Sequence, residues 1–326
     1  MSTSRADPDR LWVPLLTHYR RTAAAVEADP DRIGAHLAFI RPSVRQFLIA
    51  GSTGDGWEMS FETLLDLVRL TRRDLFQGTR LLFGALRPTT DGVIAWARRF
   101  ETNLDQEGGV AGDYVGLAVC PPVDPQADQA AILAHFERVL DETRSPIAIY
   151  QLPQVTGCSI EPDTMRVLAR QPRVLMFKDT SGTDAVAAAG FTGATLVRGA
   201  EGDYLGSLAP AGSYDGWLLS TGNALGTILR RILERHGRDE HAQALRLSKA
   251  LAILVEMLFA AAASVPFGNA FSNANRAVDH LWAHGREWPP RPPPLTASGN
   301  ELPDDLLVAA DLVGHFPALP ECGYRS

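Results

Sequence analysis

The chain carries 31 Lys plus Arg, but only two of them are lysines, Lys178 and Lys249. Lys178 lies in LMFKDTSG, residues 175–182, an apolar run where a buried charge is costly. A guanidinium stays protonated and cannot condense with a carbonyl. A lysine amine can do so once neutral: its pKa of ~10.4 in water falls to ~7–8 in desolvated catalytic sites. Lys178 therefore points to Schiff-base chemistry. Read alone, it also fits a lysine reaching water from a strand end, or one paired with Asp179. Tyr150, in PIAIYQL (146–152), is the second candidate, as a phenol that moves protons. Alone, it would read as a core aromatic with a satisfied hydroxyl. The third is Gly51-Ser52-Thr53-Gly54-Asp55. Such a turn exposes backbone N–H groups and hydroxyls that suit a carboxylate, though its polar residues also fit caps of the next helix.

These residues need a frame that brings them together. Eight β-like runs alternate with helical stretches: 11–17, 45–50, 80–86, 113–120, 146–152, 174–180, 194–200 and 214–221. FETLLDLVRLTRRDLF (61–76) and DQAAILAHFERVLDET (128–143) are typical of the amphipathic segments between them. Eight βα units predict an α/β fold, a closed (β/α)8 TIM barrel over 1–236, rather than a doubly wound open sheet. After that the strand signal stops. Residues 237–326 read as a C-terminal helical extension: helix over 238–285 with a break near Val265-Pro266-Phe267-Gly268, the stiff connector PPRPPP (289–294), and a last helix over roughly 302–313. In a barrel, active residues sit at the C-terminal ends of strands. That rule gathers Lys178, Tyr150, the 51–55 turn, Thr180, Gly202-Asp203 and Ser220-Thr221-Gly222-Asn223 at one mouth. An amine, a phenol and an anion nest there suggest a reaction on a 2-oxo acid.

The remaining composition excludes several classes. A net charge of −7 gives no basic stripe for nucleic acid. Cys120, Cys158 and Cys322 are widely spaced and form no CxxC, so neither zinc nor a disulfide framework is indicated and a reducing compartment is expected. His280 and His284 stand at i, i+4 but read as helical packing, so no metal and no cofactor are expected. MSTSRADPDR has no apolar signal core, which predicts a cytoplasmic protein. LAILVEMLFAAAASV (251–265) is shorter than the ~20 residues of a membrane span and is interrupted by Glu256. It reads as a buried helix, with packing against another subunit as a further use.

The motifs together resemble the dihydrodipicolinate synthase / N-acetylneuraminate lyase family of class I aldolases. GSTGD resembles its G-[ST]-T-G-E motif, IYQLPQVTG its tyrosine motif, and FKDTSG its lysine motif, in the family's order and with its interval from Tyr150 to Lys178. LLSTGNALG and PFGNAFSNANRAV resemble later segments, so the resemblance covers roughly 10–310. It implies a barrel with three C-terminal helices, a homo-oligomer (tetramer or dimer), an imine between Lys178 and a pyruvate-type 2-oxo acid, and Tyr150 as proton shuttle. Thr53 joins these two in catalysis. Gly51, Ser52, Thr53, Gly54, Thr180 and Ser220 are expected to bind substrate, with Ser52 and Thr53 holding its carboxylate.

The chain also departs from the pattern. Cys120-Pro121-Pro122-Val123 replaces a segment with tyrosines, and Val155 stands where the synthases have an arginine. Both differences argue against lysine-pathway synthase activity. Tyr204 follows Asp203 where the sialic acid lyases place an acid, which argues against sialic acid. Asp55 replaces the usual glutamate, and Trp57 and Trp217 are candidates to wall a less acidic second-substrate pocket. The expected activity is a lyase making or breaking a C–C bond. A dehydratase of a 2-keto-3-deoxy sugar acid is the alternative with the same imine. A non-catalytic metabolite-binding relative is the alternative of another class.

Overall fold

The computed structural model describes residues 9–312 and 320–325. Eight of its strands are short, parallel and closed into a ring: β1 (Leu11–Pro14), β4 (Gln46–Ile49), β5 (Arg80–Gly84), β6 (Asp113–Val119), β7 (Ile147–Gln151), β8 (Val174–Asp179), β9 (Thr195–Arg198) and β10 (Gly216–Leu218). β1 pairs with both β4 and β10, which closes the barrel. Each predicted run contains one of these strands, trimmed at its ends where the chain turns into the mouth loops. The hairpin β2 (Tyr19–Arg21) and β3 (Val26–Ala28) was not predicted.

Alternation along the strands decides which side chains meet. Trp12, Leu48, Leu82, Ala118, Ala148, Met176, Val197 and Leu218, one from each strand, form a layer that fills the bore. Their neighbours, among them Phe47, Phe83, Ile149, Phe177 and Trp217, pack outward against the helices. Two residues beyond Ala148 and Met176 come Tyr150 and Lys178, so the same period points both into the bore, one layer nearer its C-terminal end.

The surrounding helices start at side-chain caps. Ser60 accepts from the Thr63 amide (3.1 Å), and Asp128 from that of Ala131 (2.8 Å). The predicted helix 61–76 ends at Leu70. Thr71 turns its hydroxyl back to the Val68 carbonyl, and a separate turn at Asp74–Phe76 buries Phe76.

The last barrel helix, Gly222–Gly237, packs on His241–Ala263. The break then falls over residues 264–269, before Ala270–His284. The proline run carries no helix, and the final helix is Asp304–Asp311; its predicted end at residue 313 lies outside the described residues. The helix His241–Ala263 departs from expectation in being only half buried. Leu251, Val255 and Leu258 face the core, whereas Ile253 and Met257 are exposed. Among the described residues, no helix is long and apolar enough to cross a membrane.

Candidate active site

Lys178 and Tyr150 are register partners on adjacent strands. The Lys178 Nζ lies 3.7 Å from the centre of the Tyr150 ring, and the lysine is 5% exposed. Burial lowers its pKa to about 7, against the smaller opposing effects of Cys120 and Glu201. Near neutral pH a large share of the amine is therefore unprotonated and nucleophilic. Burial also raises the Tyr150 pKa, with Cys120 adding to the rise. The hydroxyls of Ser52 and Thr180 approach the phenol and partly offset that effect. Tyr150 therefore stays a neutral phenol, able to donate a proton. Lys178 does not pair with Asp179, because successive strand residues point to opposite faces. The Asp179 carboxylate instead accepts from the Gln151 side chain (3.1 Å), the Ser181 amide (2.9 Å) and the Tyr214 hydroxyl (3.2 Å).

A cavity of about 210 Å³ opens above the amine. Ser52, Thr53, Tyr150, Lys178, Thr180 and Ser220, six of the expected site residues, line it. Gly51 and Gly54 do not. They shape the turn: the Gly54 amide donates to the Gly51 carbonyl (3.0 Å), and the Gly54 carbonyl accepts from the Thr17 hydroxyl (2.8 Å). A Cβ at Gly54 would lie 2.6 Å from the Leu15 carbonyl oxygen. Asp55, in a left-handed conformation (φ 60°), closes the turn and pairs with buried Arg276, whose guanidinium also donates to the Thr17 carbonyl (3.1 Å). Asn269 donates to Ser52 Oγ (3.2 Å), and Ser272 donates to the Thr53 carbonyl (2.9 Å). The C-terminal helix Ala270–His284 thus fixes the loop that faces the amine.

Two expectations about the walls are corrected. Trp217 is fully buried on the helix side, its indole N–H bonded to the Tyr204 carbonyl (3.1 Å), and takes no part in the mouth. Trp57 packs with Leu86, Cys120, Tyr150 and Leu152 and lies behind the cavity lining. Val155 and Phe271 form the apolar rim instead. Asp203 is exposed, and the acid that enters the mouth region is Glu201. Its Oε1 accepts from the Ser220 hydroxyl and the Thr221 amide, both 3.0 Å, and its Oε2 from the Tyr204 hydroxyl (3.0 Å). Burial raises the Glu201 pKa, and these three donors partly offset the rise.

Glu201 and Gly199 were not singled out from the sequence. A Cβ at Gly199 would fall 2.7 Å from Lys178 Cε and 2.5 Å from Thr180 Oγ1. Only a bare backbone there leaves room for the lysine. A glycine ending the strand next to the lysine strand was the available signal. Glu201, in a Gly/Ala-rich loop, gave none.

A model of the dihydrodipicolinate synthetase family matches residues 10–278. The chain belongs to this family. A 4-hydroxy-tetrahydrodipicolinate synthase of Xanthomonas campestris pv. campestris is 30% identical over 207 residues, 62% of this chain and 65% of the relative. That of Corynebacterium aurimucosum is 29% identical over 181 residues, 55% of this chain and 56% of the relative. The chain therefore spans less than two thirds of the length of these two curated relatives. Their shared name does not bear out the expectation that Val123 and Val155 set the chain apart from the synthases.

Among solved structures, a dihydrodipicolinate synthase from Bacillus anthracis has a TM-score of 0.76 at 15% identity, covering 95% of this chain and 98% of that one. A prophage protein of E. coli K12 from the dihydrodipicolinic acid synthase family, in complex with pyruvate, gives 0.73 at 18%, covering 94% and 97%. A Clostridium difficile protein in complex with mannosamine gives 0.74 at 14%, covering 95% and 99%. At these identities the likeness shows the fold, a barrel with C-terminal helices. The dihydrodipicolinate synthetase family is one of lyases of the aldolase type.

Proposed function

We propose that this chain is a lyase that forms an imine between the Lys178 amine and the ketone of pyruvate or a related 2-oxo acid. The observation that carries this reading is the buried amine, brought to a pKa of about 7 and held 3.7 Å from the Tyr150 ring at the floor of a cavity. The neutral amine adds to the ketone carbon, and the carbonyl oxygen takes up a proton from Tyr150. The resulting carbinolamine loses water, and the imine nitrogen carries the positive charge. That charge acidifies the neighbouring carbon, whose proton leaves to give an enamine. The enamine attacks an aldehyde-type partner to make a C–C bond, and the reverse sequence breaks one. The Ser52 and Thr53 amides and hydroxyls hold the carboxylate, with Thr53 and Tyr150 passing protons. No cofactor takes part in this sequence.

The Glu201–Ser220 hydrogen bond supports a second reading. A carboxyl of raised pKa behind a hydroxyl that lines the cavity can relay a proton to a departing hydroxyl group. The same imine would then serve a dehydratase of a 2-keto-3-deoxy acid. The exposed Ile253 and Met257 on the helix His241–Ala263 support self-association into a dimer or tetramer.

Incubation with pyruvate, borohydride reduction and peptide mass mapping test the central claim. The adduct is expected on Lys178 and absent from Lys249, which is exposed on the helix His241–Ala263. An unmodified Lys178 in folded protein refutes the imine and leaves the non-catalytic, metabolite-binding reading. A panel of aldehydes and keto-deoxy acids then separates lyase from dehydratase.

A further inference from the structure

A second cavity, of about 290 Å³, opens between the β2–β3 hairpin and the C-terminal segment, away from Lys178. Arg20, Arg21 and Arg325 stand at its rim and Arg32 lies deeper. Among the described residues, Arg20 and Arg325 form no ion pair and no side-chain hydrogen bond. The acidic groups nearby are mostly engaged. Asp29 caps the helix Pro30–Ile40 by accepting from the amides of Asp31 (3.1 Å) and Arg32 (3.0 Å). Asp279, beneath the floor, takes Arg32 and the Tyr324 hydroxyl (2.7 Å). Among the described residues that line the cavity, Glu301 is the acid left on the rim, and it is exposed.

Two open guanidiniums at a concave site are the side chains best suited to an oxyanion. His280 adds a second, independent requirement. It lines the cavity, is 3% exposed, and its Nε2 has no hydrogen-bond partner among the described residues. The Trp288 carbonyl faces the ring and favours a proton on the nitrogen turned towards it; with Nε2 unpartnered, that nitrogen is Nδ1, and Nε2 keeps its lone pair. Burial and the charge of Arg32 bring its pKa down to about 4, so the ring is neutral at physiological pH. An occupant that satisfies this edge must supply a hydrogen as well as a negative charge.

A metal ion at the neighbouring His18, His36 and Asp279 is a weaker reading of the same region. His36 donates from Nε2 to the Asn223 carbonyl (2.8 Å), so its Nδ1 accepts from His18 Nε2 (3.1 Å), and Arg32 already neutralises Asp279. Those ligand atoms are spent on one another. The same bonds tie the cavity floor to the active site, because the Asn223 amide donates to the carbonyls of Pro14 (2.8 Å) and Ser220 (2.9 Å).

We propose that this cavity is a binding site for a small oxyanion that carries its own hydroxyl, of the hydrogen-phosphate or hydroxycarboxylate class. Arg20 and Arg325 take the charged oxygens, and the hydroxyl donates to His280 Nε2. Calorimetric titration of the full chain at neutral pH with inorganic phosphate, malate, sulfate and succinate tests it. Phosphate or malate is expected to saturate one site per chain, and the tighter of the two names the class. Sulfate and succinate, which lack the donor, are expected to bind about tenfold more weakly than their hydroxylated counterparts. The double variant Arg20→Ala/Arg325→Ala changes two exposed side chains and is expected to keep the parent melting temperature while weakening binding about tenfold or more. Absence of saturable binding for all four anions, or unchanged affinity in the double variant, overturns the site. Equal affinity for sulfate and phosphate overturns the assignment of His280.

Discussion

Replacing Lys178 by Met is expected to stabilise the protein while abolishing the proposed imine formation. The folded lysine has a pKa of about 7 against 10.5 for the free group, with burial as the main cause. At ~1.4 kcal/mol per pH unit, this gap is a destabilisation of ~5 kcal/mol where both states are protonated. The cost is complete below about pH 7, because folding then buries a charge. Between about pH 7 and 10.5 the unfolded chain holds the proton and the folded chain does not, so parental stability rises with pH. Above that range both forms are neutral and the cost is gone. Methionine is unbranched and similar in length, so it fills the same channel past Gly199 without charge. The contact with the Tyr150 ring returns ~0.5–2 kcal/mol to the charged lysine and trims the gain. Lys178→Met is thus expected to exceed the parent by ~3–4 kcal/mol at neutral pH and to match it near pH 10. Urea unfolding of both proteins at the two pH values measures this, with borohydride trapping as the activity readout. A variant less stable than the parent at neutral pH, or a gain that ignores pH, would refute the claim that the amine is held uncompensated in a dry site.

The supporting residues make separate predictions. Asp55→Ala leaves the Arg276 guanidinium buried and unpaired, which is expected to cost ~3–5 kcal/mol in denaturant midpoints converted to free energy. Gly199→Ala drives a methyl group against Lys178 Cε and Thr180 Oγ1; a stability loss of ~1–3 kcal/mol and loss of the pyruvate adduct are expected, the latter read by mass mapping. Glu201→Gln removes a negative charge that favours the protonated lysine, so the pH midpoint of adduct formation should move down, by about one unit or less; an upward move contradicts the assignment. Tyr150→Phe keeps the packing and removes the hydroxyl, and is expected to slow imine formation ~10²–10⁴-fold in stopped-flow trapping while leaving the fold unchanged.

Much of the frame could be read from residue order. Eight βα units count out a barrel because a strand buried on both faces is a short apolar run, and such runs are visible without coordinates. The hairpin Tyr19–Arg21/Val26–Ala28 escaped because its strands are three residues long and partly polar, with no apolar alternation to mark them. The helix expected to be buried over 251–265 is only half buried within one chain, for a related reason. Its apolar content is high all round, but only one face meets the core, and a hydrophobic run does not say which side is covered. Trp217 was misplaced by one step of the strand period: one residue along β10, Leu218 faces the bore.

Local sequence determined the kinds of chemistry this protein carries. A primary amine in an apolar strand, a phenol on the strand before it and a glycine turn with two hydroxyls are properties of composition and spacing, since each depends only on residue type and the alternation of a strand. Tertiary structure decided the rest: the lowered pKa of Lys178, the space Gly199 leaves for it, the pairing of Asp55 with Arg276, and the choice of Glu201 over Asp203 at the mouth. These depend on desolvation and on approaches between residues as many as 221 positions apart in the chain, and such distances are set only when the ring of strands closes.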